Sequence, residues 1–214
     1  MGYTNDTMAI QEIINSILAF DEAGASRRVQ GELDNGTDAM IILNSGLIAA
    51  MDEVGRRYAR GIFFVPEMMM AAQAMKNGLS VLRPHLEKKG AASESCIVIG
   101  TVKGDIHDIG KNLVSIMLEC SGFRVIDLGT DVDADQFVKA GRKSKAKLIA
   151  MSTLLTSTLA SMKAIVSRIR SESDAPKTIV GGAPVTQGFA DHIGADGYSP
   201  DAVGAVEVAR RLIG

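Results

Sequence analysis

Residues 96–112 read CIVIGTVKGDIHDIGKN, and this stretch decides the fold. The apolar run at its start is typical of a buried strand, and an apolar stripe at helical spacing follows its end. The polar residues between them predict a loop that leads from a strand to a helix, which is where open α/β sheets bind their ligands. This loop contains a single imidazole, His107, with the carboxylates of Asp105 and Asp108 close to it in sequence.

Short apolar runs alternate with amphipathic segments from residue 96 to the end of the chain. The apolar runs predict strands at Cys96–Val102, Phe123–Leu128, Lys147–Ser152, Lys177–Val180 and Asp196–Tyr198. Helices are expected between them, one of them after a capping arrangement of Asp133 and Gln136. The last helix is expected to begin with Ser199 and Pro200. This alternation predicts a parallel sheet covered on both faces, in a flavodoxin-like (Rossmann-type), doubly wound α/β domain.

The first 83 residues carry apolar stripes at helical spacing and no strand pattern. Stripes occur within residues 7–20 and 38–58, and Pro66 is well placed for the first turn of a further helix. Because each helix has one face to bury, a bundle of four helices is expected. The polar run after it suits an exposed linker. The predicted organisation is a helical domain over residues 1–86, a linker over 87–95 and the α/β domain over 96–214.

The composition of the 214-residue chain argues against several classes of protein. A formal net charge of −2 and the absence of a basic run disfavour nucleic-acid binding. The most apolar stretch, residues 62–75, contains polar interruptions and falls short of the roughly 20 apolar residues that span a membrane. The first residues of the sequence are not basic, which disfavours a signal peptide there. Cys96 and Cys120 fall at apolar positions, which is typical of buried thiols in a reducing cytoplasm.

Three short motifs follow one another along the α/β half. They are Asp-x-His-x-x-Gly at 105–110, Ser-x-Leu at 152–154 and Gly-Gly at 181–182. In this order and at these intervals they resemble the cobalamin-binding domain of methionine synthase and the corrinoid methyl-carrier proteins. The helical half is similar to the same family in the segment 63–67, FFVPE, and in the Met-rich helix after it. The resemblance implies that the chain binds cobalamin, a corrinoid with cobalt at its centre.

The resemblance also implies roles for individual residues. His107 would replace the cofactor's own base as the lower axial ligand of cobalt, a metal that accepts imidazole nitrogen. Asp105 and Thr158 would form a His–Asp–hydroxyl relay behind it, in which the carboxylate fixes the tautomer of the imidazole. Ser152 and Leu154 would line the pocket for the nucleotide tail. The other residues expected around the cofactor are Gly104, Ile106, Asp108, Gly110, Thr156, Gly181 and Gly182.

Two interpretations stay open for several of the polar residues. Asp108 is also explained as a solvated acid near a helix N-terminus. Thr130 and Asp131, weaker candidates for the tail pocket, are also explained as ordinary loop polarity. Lys111 could meet a phosphate or be exposed.

In the resembled family the helical domain covers the upper face of the corrin and shields the methyl group. Phe64, Met68 and Met69 are the expected cap residues of this chain. Methionine is soft and adaptable, but a methionine stripe at helical spacing is also typical of a bundle core. That second interpretation applies to Met68, Met69, Met70 and Met75 alike.

The function implied by the resemblance is that of a carrier, which is not an enzyme by itself. It would bind cobalamin with the cofactor's base displaced and accept a methyl group from a substrate-specific methyltransferase. The donor would be a methylamine, a betaine, methanol or an aryl methyl ether. A second methyltransferase, using tetrahydrofolate or a thiol coenzyme, would take the methyl group. A reductive activase would be a further partner, neither nucleic acid nor a membrane would be one, and self-association is left open.

Three other classes of protein share part of this pattern. A cobalamin-dependent sensor or regulator usually adds a DNA-binding or signalling module, for which the sequence has no basic segment. The small subunit of a cobalamin mutase resembles the α/β half but lacks a helical cap. A cofactor-free receiver domain would not need the three motifs in register.

Overall fold

The computed structural model describes residues 3–88 and 95–214, so most of the predicted linker lies outside the described residues. The chain divides into two compact units, residues 1–94 with 120–122 and residues 95–119 with 123–214. We call them the helical unit and the sheet unit. No helix within the described ranges is long and apolar enough to cross a membrane.

Between residues 3 and 88 the helical unit contains four continuous helical stretches. Its elements are α1 (Tyr3–Leu18), α2 (Glu22–Asp34), α3 (Ala39–Ile41), a π-helical segment (Ile42–Ile48), α4 (Ala49–Ala59) and α5 (Val65–Lys88). Helix α3, the π-helical segment and α4 follow one another without a break and form one continuous helix over residues 39–59. Helix α1 packs on α2 and α4, and α5 packs on α2 and α4. The helical region expected from the sequence is confirmed.

Helix α5 shows one agreement with the sequence pattern and one difference from it. Pro66 lies in its first turn, as predicted. The helix continues through Pro84 to Lys88, two residues into the predicted linker of residues 87–95. A proline inside a helix removes one N–H donor without having to end the helix.

The sheet unit alternates strands and helices along the chain. Its elements are β1 (Cys96–Thr101), α6 (Ile109–Cys120), β2 (Arg124–Asp127), α7 (Ala134–Ser144), β3 (Leu148–Ser152), a 3₁₀ turn (Thr156–Thr158), α8 (Leu159–Arg170), β4 (Lys177–Gly181), α9 (Gln187–Ile193), β5 (Gly197–Ser199) and α10 (Ala202–Ile213). The strands pair in parallel in the order β2-β1-β3-β4-β5. This is the flavodoxin-like strand order, and the predicted fold class is confirmed.

The core of the sheet unit is formed by buried strands and the inner faces of their helices. Phe137 of α7 and Met162 of α8 pack with Val98 and Ile149 of the sheet in one apolar cluster. The thiols of Cys96 and Cys120 are buried and form no disulfide.

The N-termini of α7 and α10 can be compared with the predicted N-caps. Asp133 and Gln136 form the predicted capping box at the start of α7. The predicted start of the last helix at Ser199 is wrong, because Ser199 is still part of β5 and Asp201 is the N-cap of α10. The Ser199 hydroxyl donates to the carbonyl oxygen of Asp201 instead, at 2.6 Å.

The strand order opens a crevice at one edge of the sheet. Strands β1 and β3 are neighbours, but the chain leaves β1 towards β2 on one side and leaves β3 towards β4 on the other. The loops after β1 and β3 therefore diverge at the carboxyl ends of the strands, which is where ligands bind in folds of this kind.

Candidate functional site

The His107 loop begins at this crevice and is organised by a buried carboxylate. Asp105 is 0 % exposed, whereas the side chain of His107 is 48 % exposed. Oδ1 of Asp105 accepts from the backbone N–H of His107 at 2.9 Å and lies 2.7 Å from Nδ1 of its ring. One carboxylate oxygen thus fixes both the backbone and the ring of His107.

The second oxygen of Asp105 is held by the loop after β3. Oδ2 accepts from the Thr153 hydroxyl at 2.8 Å and from the N–H of Leu154 at 2.6 Å. Burial raises the pKa of Asp105, but the hydrogen bonds from His107, Leu154 and Thr153 lower it by more than burial raises it. The net pKa lies well below the usual range of an aspartate. The carboxyl group is therefore ionised at neutral pH.

The ionised carboxylate determines which nitrogen of His107 carries the proton. A carboxylate only accepts hydrogen bonds, so Nδ1 must donate, and in the neutral ring Nε2 is left as an acceptor or metal ligand. No group of three or more His, Cys, Asp or Glu side chains in residues 3–88 and 95–214 could hold a bare metal ion. A metal at His107 must therefore bring its other ligands with it, as the cobalt of a corrin ring does.

The hydroxyl relay behind Asp105 differs from the one expected. The family resemblance implies that Thr158 contacts Asp105 directly, but the hydrogen bond to Asp105 comes from Thr153. The Thr158 hydroxyl lies 2.5 Å from Oγ1 of Thr153 and 2.9 Å from the carbonyl oxygen of Leu155. Thr153 stands closer because it directly follows β3, whereas Thr158 ends the 3₁₀ turn. The one feature of the sequence that could have indicated Thr153 is its hydroxyl at the variable position of the Ser-x-Leu motif.

Asp131 holds the other side of the His107 loop. Its carboxylate accepts from the N–H of Gly104 at 2.8 Å and from Nζ of Lys103 at 3.0 Å, and these bonds lower its pKa. Its own N–H donates to the carbonyl oxygen of Asp105 at 2.9 Å. Asp131 has a positive φ of 58°, which Asp tolerates better than most residues. Asp131 thus supports the His107 loop, and its contact with the nucleotide tail stays a prediction.

Polar side chains near the start of α6 bond to one another. Lys111 is buried and its Nζ donates to Oδ2 of Asp127 and to Oδ1 of Asn112, so the interpretation of Lys111 as an exposed residue is wrong. The exposed carboxylate of Asp108 accepts from the side-chain amide of Asn112 at 3.0 Å. These contacts fit the interpretation of Asp108 as a polar residue beside a helix N-terminus, and contact of Asp108 with a cofactor stays a prediction.

The four glycines expected around the cofactor have different surroundings. A Cβ added to Gly182 would lie 1.8 Å from the carbonyl oxygen of Thr153, and one added to Gly181 would lie 2.8 Å from that of Ser199. At Gly104, with a φ of +88°, it would lie 3.2 Å from Thr158. At Gly110 it would meet nothing within 4 Å. Close backbone packing explains Gly181 and Gly182, whereas only Gly110 adjoins open space.

Large apolar side chains are exposed around His107. Ile106 is 77 % exposed and Ile109 is 83 % exposed on one loop, and Leu154 and Leu155 are exposed on the loop after β3. Scattered exposed apolar residues need no explanation, but a group of them on the two loops of one crevice indicates an interaction site. A large apolar ligand that lies across this edge of the sheet would cover them.

The remaining predicted residues lie as follows. Ser152 is half-buried at the end of β3, opposite Gly181 of β4, and Thr156 is exposed. In the helical unit Phe64 and Met69 are exposed, whereas Met68 is completely buried. Burial favours the bundle-core interpretation for Met68 over contact with a ligand. Cofactor contacts of the others stay predictions.

A doubly wound sheet that presents a carboxylate-bound imidazole and an apolar rim at its crevice defines a class of protein that binds a large, metal-bearing cofactor. Two families described as B12 binding domain match the chain, one over residues 95–207 and the other over residues 9–83. The chain therefore belongs to the B12-binding corrinoid proteins, and the predicted cofactor, a cobalamin, is confirmed.

Similar proteins match along almost the whole chain. A corrinoid protein of Desulfitobacterium hafniense (strain Y51) is 40 % identical over 210 residues, which cover 96 % of this chain and 97 % of that protein. Trimethylamine corrinoid protein 2 of Methanosarcina mazei is 40 % identical over 205 residues, covering 92 % and 94 %. These relatives support the class of corrinoid proteins that serve methyltransferase systems.

Solved structures agree with this assignment. A cobalamin-binding protein from Desulfitobacterium hafniense DCB-2 superposes with a TM-score of 0.80 at 29 % identity, covering 96 % of this chain and 98 % of that one. The methanol:cobalamin methyltransferase complex from Methanosarcina barkeri gives a TM-score of 0.83 at 29 % identity, covering 96 % and 80 %.

Proposed function

We propose that this protein binds cobalamin through His107, with the cofactor's own base displaced, and carries a methyl group between two methyltransferases. One partner takes the methyl group from a small substrate, and the other passes it to tetrahydrofolate or a thiol coenzyme. In this scheme the chain binds the cofactor that carries the methyl group, and the partner enzymes contain the binding sites for the methyl donor and acceptor.

The observation that carries the proposal is the pairing of buried Asp105 with half-exposed His107. The 2.7 Å contact assigns the proton to Nδ1 and leaves Nε2 of a neutral ring free to bind a metal. A carboxylate in this position also raises the basicity of a ligating imidazole. When bound, the corrinoid supplies a cobalt centre that takes up and releases a methyl group. His107 would hold the cobalt through Nε2, and the exposed side chains of Ile106, Ile109, Leu154 and Leu155 would supply apolar contacts to the cofactor.

The relatives support a methylamine or methanol system as the setting. The similar proteins from Methanosarcina carry the names trimethylamine and dimethylamine corrinoid protein, and the matching complex is a methanol:cobalamin methyltransferase. We infer that a substrate-specific methyltransferase is the first partner of this chain.

The test of the ligand assignment is the absorption spectrum of the protein reconstituted with methylcobalamin. Wild type should retain the corrinoid on desalting and give a base-off, His-on spectrum. His107→Ala should lose the imidazole-bound spectrum because the nitrogen ligand is gone, and it should retain the corrinoid less well on desalting.

The matched control is His192→Ala, since His192 is an exposed histidine at the end of α9 in the same unit. It should behave as wild type. Wild type that retains no corrinoid would refute the carrier function, and an unchanged spectrum in His107→Ala would remove His107 from the cobalt.

A further inference from the structure

We propose that Thr153 is a positioning residue for the cobalt ligand, and that Thr158 acts on Asp105 only through it. The inference rests on the proposed function, because it concerns how the protein holds the imidazole that binds the cofactor. It adds a fourth member to the expected chain of three, in the order His107, Asp105, Thr153, Thr158.

The count of protons sets the direction of the hydrogen bonds. The Thr153 hydroxyl has one proton, and the ionised carboxylate of Asp105 can only accept, so that proton lies in the 2.8 Å bond to Oδ2. The oxygen of Thr153 is then left as an acceptor for the Thr158 hydroxyl at 2.5 Å, and the single proton of Thr158 is shared between this oxygen and the carbonyl oxygen of Leu155 at 2.9 Å. Thr158 therefore supports the hydroxyl of Thr153, and Thr153 supports the carboxylate.

Thr153 is held rigidly enough to position its neighbour. It is 1 % exposed, and its N–H donates to the carbonyl oxygen of Gly181 at 3.2 Å. Its own carbonyl oxygen occupies the space that a Cβ on Gly182 would need. The Gly-Gly motif thus allows the end of β4 to approach Thr153 closely, so part of the motif's role is to place this residue.

Loss of the Thr153 hydroxyl should loosen the carboxylate. Oδ2 of Asp105 would keep only the bond from the N–H of Leu154, and the carboxylate plane could rotate more freely about its side-chain bond. Since Oδ1 orients the ring of His107, the imidazole would be held less firmly. The expected result is about a tenfold weaker ligation of cobalt by His107, at the lower end of the range for groups that orient a metal ligand.

The first experiment uses the full chain loaded with methylcobalamin. Thr153→Val keeps the shape of the side chain and removes the hydroxyl, and Thr153→Ser keeps the hydroxyl. The imidazole-bound fraction, read from the absorption spectrum, should fall in Thr153→Val and return to the wild-type value in Thr153→Ser. Thr158→Val should have a smaller effect than Thr153→Val. Thr153→Ala is the substitute should the buried valine prevent folding.

The second experiment needs no cofactor. Nitrogen NMR of the unloaded protein reports which nitrogen of His107 carries the proton. Wild type and Thr153→Ser should show the Nδ1–H form, and Thr153→Val should show a larger share of the other form. This readout is specific to the ring, so a general loss of stability would not reproduce it.

The outcomes separate the two proposals. Wild type that cannot retain methylcobalamin overturns the carrier function, while the NMR comparison still decides the role of Thr153. Thr153→Val that matches wild type in both measurements overturns the inference. So does a loss of the imidazole-bound spectrum in Thr158→Val without one in Thr153→Val, because Thr158 would then act on Asp105 directly.

Discussion

Gly182 has a φ of +121°, a backbone conformation that residues with a side chain rarely adopt. Replacement by alanine would combine this strain with the clash against the carbonyl oxygen of Thr153. Gly182→Ala should therefore lower the free energy of unfolding by about 3 kcal/mol, as measured by urea denaturation. A midpoint equal to that of wild type would show that the loop after β3 moves aside at little cost.

Gly110 is the matched control for Gly182. It lies in α6, where an added Cβ meets nothing within 4 Å, so Gly110→Ala should be neutral or raise the free energy of unfolding by up to about 1 kcal/mol. A stable Gly110→Ala variant that binds methylcobalamin more weakly would support the predicted contact of this glycine with the cofactor.

Individual residues differ in how far the sequence could reveal their role. His107 and Asp105 are two residues apart, so their contact is local and the motif predicts it. The contact of Asp105 with Thr153 joins loops 48 residues apart, and it depends on the neighbouring positions of β1 and β3 in the sheet. Lys111 shows the same limit, because its burial depends on Asp127 at the end of a different strand.

One carboxylate reinforces the backbone pairing of the edge strand β5 with β4. Asp196, just before β5, accepts from the N–H of Thr178 at 2.9 Å, from the Thr178 hydroxyl at 3.1 Å and from Nζ of Lys177 at 3.0 Å. Burial raises the pKa of Asp196, but the hydrogen bonds from Lys177 and Thr178 lower it more, to a net value below the ordinary 3.8.

A carboxyl group whose pKa is lower in the folded state stabilises the fold above its unfolded pKa, and this stabilisation is lost as the pH falls. Asp196→Asn should therefore cost about 1 kcal/mol at pH 7, and the difference from wild type should shrink at a pH below about 4. Urea denaturation at both pH values measures it. Asp174→Asn, at an exposed site, should have no such effect, and a pH-independent loss in Asp196→Asn would contradict the charge argument.

Regular elements were more predictable than their exceptions. The five strands follow from apolar runs, and their ends agree with the prediction to within one residue. The π-helical turn at Ile42–Ile48 has the same apolar period as the helices around it, so the pattern does not reveal it. Ser199 and Pro200 predict a start of α10 that is too early, because Ser-Pro is a strong signal for a helix start and the pairing of Ser199 in β5 is not visible in the local sequence.

At the scale of the whole chain, the hydrogen bonds that orient His107 all lie inside the sheet unit. Asp105, Asp131, Thr153 and Leu154 belong to this one unit. A fragment of residues 95–214 should therefore fold cooperatively and retain methylcobalamin, with its His-on spectrum intact. Circular dichroism during denaturation and desalting after reconstitution measure the two properties. Loss of the spectrum in a folded fragment would show that the helical unit is needed for ligation.

Cys96 and Cys120 are buried as separate thiols, so no disulfide of this chain is exposed to a reductant. Structural disulfides have potentials below about −300 mV, and reductants strong enough for low-potential cobalt chemistry also break them. This scaffold has no such bond to lose, since these are its two cysteines. The oxidation state of a bound corrinoid can therefore be titrated electrochemically over a wide range while the covalent structure of the protein stays the same.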